Sequence, residues 1–137
     1  GALGSAGARV HLLGHRSDVA LLHHAFDVFV QASDYEGTPN AVLEAMALGT
    51  PVVATRAGGT GEIAHDGAHA LLVDCGDRAG LAGAMAALAH DPARAHALAA
   101  AARQRVETDL SFARRVAKVE DIYTRLMRDR QTAGGRA

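Results

Sequence analysis

The sequence predicts an α/β fold: a parallel sheet with helices on both faces, continued by further helices at the C-terminal end. Three observations carry that expectation. Short apolar, β-branched runs recur at residues 10–13, 27–32, 51–55 and 70–73, separated by segments of helical character. These runs are nearly all apolar rather than alternating, as strands covered on both faces are. From Asp77 onward, three alanine-rich helical stretches follow with no further strand pattern between them.

Each element has its own local signals. The run at 10–13 is closed by Gly14, and Ser17 and Asp18 supply N-cap chemistry for a helix over about 18–25. The second strand, at 27–32, is β-branched and aromatic. A helix is then expected over 39–48, with Thr38 as N-cap, Pro39 at the first helical position and Gly49 just past the end. Residues 51–55 form the third strand. A glycine-rich loop at 57–61 leads to an Asp66-Gly67 turn and the fourth strand at 70–73. The last three helices open at Asp77, Pro92 and Ser111. Strands alternating with helices in this order make a Rossmann-like arrangement.

Composition narrows the function classes. The chain has 137 residues, enough for one domain or one piece of a larger protein. Its net charge of −1, without a basic stripe, argues against nucleic-acid binding. So does the scarcity of aromatics: two Tyr, three Phe and no Trp leave little for bases to stack on. A single cysteine, Cys75, excludes an intrachain disulfide framework and fits a reducing compartment. No apolar stretch reaches the roughly 18 residues of a transmembrane helix. The expected location is cytoplasmic, or peripheral at the inner membrane face. Residues 1–9 read as the end of a missing upstream element plus a loop, and 131–137 as a flexible tail, so a fragment or excised domain is expected.

Ligands of a parallel sheet sit beyond the carboxyl ends of its strands, which directs attention to loops 14–17, 33–39, 55–61 and 74–77. The second of these contains Glu36, Gly37, Thr38, Pro39 and Asn40, and runs directly into the helix that carries Ala41 and Glu44. A helix N-terminus presents oriented N–H groups and a positive dipole end to an anion. Asn40 and Glu44 are spaced i, i+4 and share a face that begins at that end. Glu44 lies about five residues into the helix, or roughly 7–8 Å along its axis. A phosphate at the tip and a carboxylate one turn on suit a nucleotide, whose ribose diol donates two hydrogen bonds to a carboxylate.

The segment 36–63, from Glu36 through LEAMALGTPVVAT to the GG-x-x-E run ending at Glu62-Ile63, resembles the Glu-x7-Glu signature of retaining glycosyltransferases. Specifically, it resembles the C-terminal, donor-binding domain of family 4 enzymes with the GT-B fold. The flanking runs at 10–14, 27–33, 51–55 and 66–77 fall in that family's order, so the resemblance covers about residues 10–130. It implies a partial C-terminal nucleotide-sugar-binding domain. Glu36 would approach the hydroxyls of the transferred sugar as the catalytic carboxylate, and Glu44 would hold the ribose hydroxyls. Backbone groups around Gly37, Thr38, Pro39, Asn40 and Ala41 would contact the diphosphate or sugar, with Arg16 near the base. The implied reaction moves a sugar from a nucleotide-diphosphate sugar to an acceptor hydroxyl with retained anomeric configuration. No cofactor or metal is implied, the leaving diphosphate being neutralised by helix dipole and basic side chains.

Two departures stand out. The Arg and Lys that grip the diphosphate in the family, and the N-terminal domain that binds the still unknown acceptor, belong upstream of residue 10. A second reading is therefore a non-catalytic nucleotide-sugar-binding module or an inactive remnant. A hydrolase using Glu36 and Glu44 as an acid–base pair conflicts with the phosphate-binding helix end between them, and the context after Glu36 is not that expected of a sugar-nucleotide epimerase.

Other residues have plainer readings. Gly58 and Gly59 are expected to serve backbone geometry, and Glu62 a structural role. The eight histidines are read as surface residues, since no Cys or carboxylate completes a ligand set. Cys75 lacks the context of a nucleophile. Phe112, Val116, Val119, Tyr123 and Leu126 recur at helical spacing and are read as a core-facing stripe.

Overall fold

The computed structural model describes the backbone of residues 9–134 and the side chains of residues 9–130. The expected end of an upstream element at 1–9 therefore lies almost wholly outside the described residues. Three strands, β1 (Phe29–Gln31), β2 (Val52–Thr55) and β3 (Leu71–Val73), form one sheet in the order β1-β2-β3. Both pairings are parallel, with Phe29 opposite Val52 and Val53 opposite Leu71. Helix α1 (Val19–Ala25) precedes β1, α2 (Asn40–Leu48) connects β1 to β2, and the short α3 (Thr60–Ile63) connects β2 to β3. Then come α4 (Arg78–His90), α5 (Pro92–Thr108) and α6 (Phe112–Gly134).

The central strand shows why its sequence is apolar throughout. All four residues of β2 are buried, and alternate side chains point to opposite faces. On one face, Val52 and Ala54 meet Val42, Ala45 and Met46 of α2 and Ala102 of α5. On the other, Val53 and Leu71 meet Leu88 of α4 and Leu98 of α5. Helices on both faces of a parallel sheet are thus present as the pattern required.

In α2, Val42, Ala45 and Met46 have no exposed surface, the i, i+3, i+4 stripe of an amphipathic helix. Glu44 stands roughly 200° around the helix from Val42, from 3.6 residues per turn, and is exposed. Gly49 ends the helix with φ 73°, and the Thr50 N–H closes back on Ala45 O at 2.9 Å. Helices α4 and α5 are capped by Asp77 and Asp91, whose carboxylates accept from Gly80 N and Arg94 N.

Three expectations are corrected. Residues 10–13 form no strand, and Val10, Leu12 and Leu13 are exposed. So short an apolar run becomes a strand only by pairing, and it pairs with none of β1, β2 and β3. Helix α2 begins one residue later than expected: Pro39, not Thr38, takes the N-cap position and accepts the Leu43 N–H through its carbonyl. The apolar stripe of α6 keeps 38–79% of its surface exposed at Phe112, Val116, Val119, Tyr123 and Leu126. Helical spacing fixes which residues share a face, not what covers it. Helix α6 runs on to Gly134. Among the described residues, no helix is long and apolar enough to cross a membrane.

Candidate functional site at the carboxyl edge of the sheet

Because both strand pairs are parallel, the loops after β1, β2 and β3 emerge on the same edge, and hydrogen bonds tie them together. The carbonyl of Ser33, just after β1, accepts from Thr55 Oγ1 at the end of β2 and from Cys75 Sγ beyond β3. Cys75 is exposed and unpaired, and its thiol serves this junction. The glycine-rich loop presses against the same segment from behind. A Cβ on Gly58 would lie 1.6 Å from the Glu36 carbonyl oxygen, and one on Gly59 would lie 2.8 Å from that of Gly37. Both glycines therefore serve close approach, and Gly58 with φ +47° serves backbone geometry as well.

Glu36 is half-buried at this edge. Its Oε1 accepts from Gln31 Nε2 at 2.6 Å and from Ser33 Oγ at 2.7 Å. No hydrogen bond reaches Oε2 from the described residues. Gly37, Thr38, Asn40 and Ala41 follow as exposed residues, with Pro39 buried among them. The Asn40 N–H turns back to Thr38 O at 2.8 Å, so it is not one of the free donors that a helix start there implied. Pro39 has no N–H and no side chain caps α2. The exposed residues of the tip whose N–H groups can face a ligand are therefore Gly37, Thr38 and Ala41, Val42 being buried.

Glu36, Gly37, Thr38, Pro39, Asn40 and Ala41 thus follow one another from the sheet edge to the α2 tip, and Asn40 and Glu44, one turn apart, share an exposed face of that helix. Arg16 stands apart. Its guanidinium pairs with Asp18, holding that carboxyl below its ordinary range and drawing it away from capping α1. Among the described residues, the Glu62 side chain makes no hydrogen bond; its carbonyl and that of Ile63 accept from Arg105, which fastens α3 to α5.

Beside the α2 tip opens a groove of about 660 Å³, bordered by Gly37, Thr38, Gly59, Arg114, Arg115 and Lys118. Arg114 is partnered by Asp109 at 3.6 Å. Arg56, the basic residue directly after β2, is engaged with Asp66, Asp74 and the Leu72 carbonyl. Burial raises the Asp66 carboxyl, but the Leu72 N–H and Arg56 outweigh it and leave the group below its ordinary value.

Among the described residues, no group of three or more His, Cys, Asp or Glu could hold a metal ion. One histidine departs from the surface reading: His23 is only 3% exposed and packs between Phe26 and Phe29. Thr50 Oγ1 donates to the His23 carbonyl and lies 3.3 Å from Nδ1. The sequence reading also missed Gln31 and Ser33. The available signal was an amide at the end of an otherwise apolar strand, and a hydroxyl three residues before Glu36.

Comparison with known proteins places this edge in a wider set. Residues 2–91 match the family described as Glycosyl transferases group 1. The chain is 39% identical over 111 residues to glycogen synthase of Mycobacterium tuberculosis, covering 81% of this chain and 27% of that protein. Its fold matches sucrose-phosphate synthase of Thermosynechococcus elongatus with a TM-score of 0.81 and 31% identity, over 90% of this chain and 32% of the other. It also matches HepE of Anabaena in complex with UDP, with a TM-score of 0.82 and 26% identity, over 87% and 33%. The chain thus spans about a third of the length of these proteins. With the parallel sheet and its loop edge matched over most of the chain, it belongs to the family of group 1 glycosyl transferases.

Proposed function

We propose that residues 10–130 form part of the C-terminal, donor-binding domain of a retaining family 4 glycosyltransferase. The whole enzyme would move a sugar from a nucleotide-diphosphate sugar to an acceptor hydroxyl. The observation that carries this reading is a half-buried Glu36 just before the uncapped tip of α2, whose exposed face carries Asn40 and Glu44. The likeness to HepE, a structure that holds UDP, supports a nucleotide-sugar donor.

In this reading the diphosphate lies at the α2 tip, where the N–H groups of the first turn and the helix dipole face its charge. Glu44 accepts from the ribose hydroxyls, and Glu36 faces the transferred sugar. The bond from the anomeric carbon to the diphosphate oxygen breaks with its electron pair going to the diphosphate, the acceptor oxygen takes its place on the same face, and the acceptor hydroxyl's proton passes to the departing diphosphate. No metal is required. The acceptor site and further diphosphate-binding cations belong to the rest of the protein.

Titration of the full-length protein with UDP tests the placement. Glu44→Gln weakens UDP by roughly tenfold, the worth of a charge-assisted hydrogen bond. Equal affinity in the two proteins overturns the ribose assignment. Turnover of UDP-glucose separates a transferase from a non-catalytic binding module.

A further inference from the structure

Gln31 is out of place by the rules that shape the rest of β1. The strand is otherwise Phe29 and Val30, held in register against Val52 and Val53, and Gln31 stands opposite Ala54 at its carboxyl end. An amide in a partly buried strand position must find partners. Gln31 finds one: Nε2 donates to Glu36 Oε1 at 2.6 Å. Its own Oε1 is buried and has no partner among the described residues. A carboxylate only accepts, so the NH2 end must face Glu36. The amide keeps that orientation although its carbonyl is left unsatisfied, an unfavourable state for a buried oxygen.

The second donor comes from the same rigid source. Ser33 Oγ reaches the same Glu36 oxygen at 2.7 Å, and the Ser33 carbonyl is itself pinned by Thr55 Oγ1. Two donors anchored to the sheet therefore converge on Oε1 of a carboxylate carried by a loop. A glutamate side chain has three rotatable bonds and loses considerable entropy when fixed. Here it is fixed before any ligand arrives, and Oε2 is left without a donor on a half-buried, accessible residue.

We propose that Gln31 is a positioning residue: with Ser33 it holds Glu36 Oε1 so that Oε2 is presented to the sugar of a nucleotide-sugar donor. This rests on the reading of Glu36 as the sugar-facing carboxylate. Preorganising a reacting group on rigid elements contributes to turnover more than to ground-state affinity. The carbonyl left unpaired also predicts that Gln31 contributes little to stability.

The test is Gln31→Leu in the full-length protein, which removes the donor and the unpaired oxygen at similar volume. Turnover of UDP-glucose, with ADP- and GDP-glucose alongside, falls roughly tenfold to a hundredfold. KM and UDP affinity stay within about twofold, as expected when positioning rather than binding is lost. The urea midpoint of the variant is equal to or above that of the wild type. In a Glu36→Ala background, Gln31→Leu causes no additional loss, because it acts only through Glu36. Equal turnover in wild type and Gln31→Leu overturns the positioning role alone. A loss that persists undiminished in the Glu36→Ala background, together with a lowered urea midpoint, overturns it in favour of a structural role. A wild-type protein that neither binds UDP nor turns over any of the three donors overturns the donor reading and this inference with it.

Discussion

Gly58 packs so closely against Glu36 that a methyl group on Gly58 would lie 1.6 Å from the Glu36 carbonyl oxygen and 2.7 Å from its carbonyl carbon. The glycine after β2 is thus the backstop of the loop after β1, and the position of the Glu36 backbone depends on it. Gly58→Ala meets two penalties, a left-handed φ of +47° and a backbone overlap that no rotamer relieves. The expected loss is roughly 2–4 kcal/mol in urea unfolding. Gly49→Ala is the control, since Gly49 has φ +73° but nothing within 4 Å of a new Cβ. It should cost only about 1–2 kcal/mol. Equal losses at the two positions would show that the contact with Glu36 contributes nothing.

Glu36 and Glu44 should separate in kinetics although both belong to the proposed donor site. Glu36→Ala is expected to reduce turnover of a nucleotide-sugar donor on the order of a hundredfold, as loss of a group facing the transition state does. UDP, which lacks the sugar, should bind that variant as it binds the wild type. Glu44→Gln should show the opposite balance, with weakened UDP and a smaller change in turnover at saturation. Calorimetry with UDP and steady-state kinetics with UDP-glucose distinguish the two, and full turnover in Glu36→Ala would remove its catalytic assignment.

How much of this was legible beforehand follows from what each signal encodes. The apolar run of β2 specified a strand covered on both faces, and the alternation of strands and helices then placed Glu36 and Glu44 at the carboxyl edge. Gly49 was readable as a helix end because only a left-handed residue closes α2 there. The 10–13 run was misread because a strand is a property of a pair of segments, and one segment's composition cannot supply its neighbour. His23 was misread because its burial depends on Phe29 and Thr50, which are distant in sequence. Gln31 escaped notice for a similar reason: its partner, Glu36, lies beyond the end of the strand, where no periodicity relates them.

The stripe on α6 offers a quantitative check on that lesson. Val119 is 46% exposed and Leu88, in the layer between sheet and α4, is 2% exposed. Val119→Asn should therefore change the stability of this chain by less than about 0.5 kcal/mol, the usual range for an exposed site. Leu88→Ala should lose roughly 2–5 kcal/mol, because it opens a cavity between packed layers. Urea denaturation of the two variants checks the contrast. A loss at Val119 comparable to that at Leu88 would return the stripe to the core.

Acid should weaken the fold through two histidines. Burial pushes the His23 imidazole below its ordinary value of 6.5, and the nearby Glu44 charge opposes this only in part. His69 is lowered as well, first by burial and then by Arg105, and its Nδ1 accepts the His65 N–H. The folded state therefore binds fewer protons than the unfolded chain, and stability rises with pH across this window. The contribution is complete above the unfolded value near 6.5 and is lost as pH falls through the lower folded values. Asp66 acts in a separate window, since its lowered carboxyl is lost only below its ordinary 3.8. His23→Phe should keep the ring contacts to Phe26 and Phe29 and leave the Thr50 bond to the backbone carbonyl intact. It should therefore flatten, without abolishing, the fall in urea midpoint below pH 6.5, with the remainder belonging to His69. An identical pH dependence in wild type and variant would mean that the buried imidazole between α1 and Thr50 takes up its proton as readily as one in water.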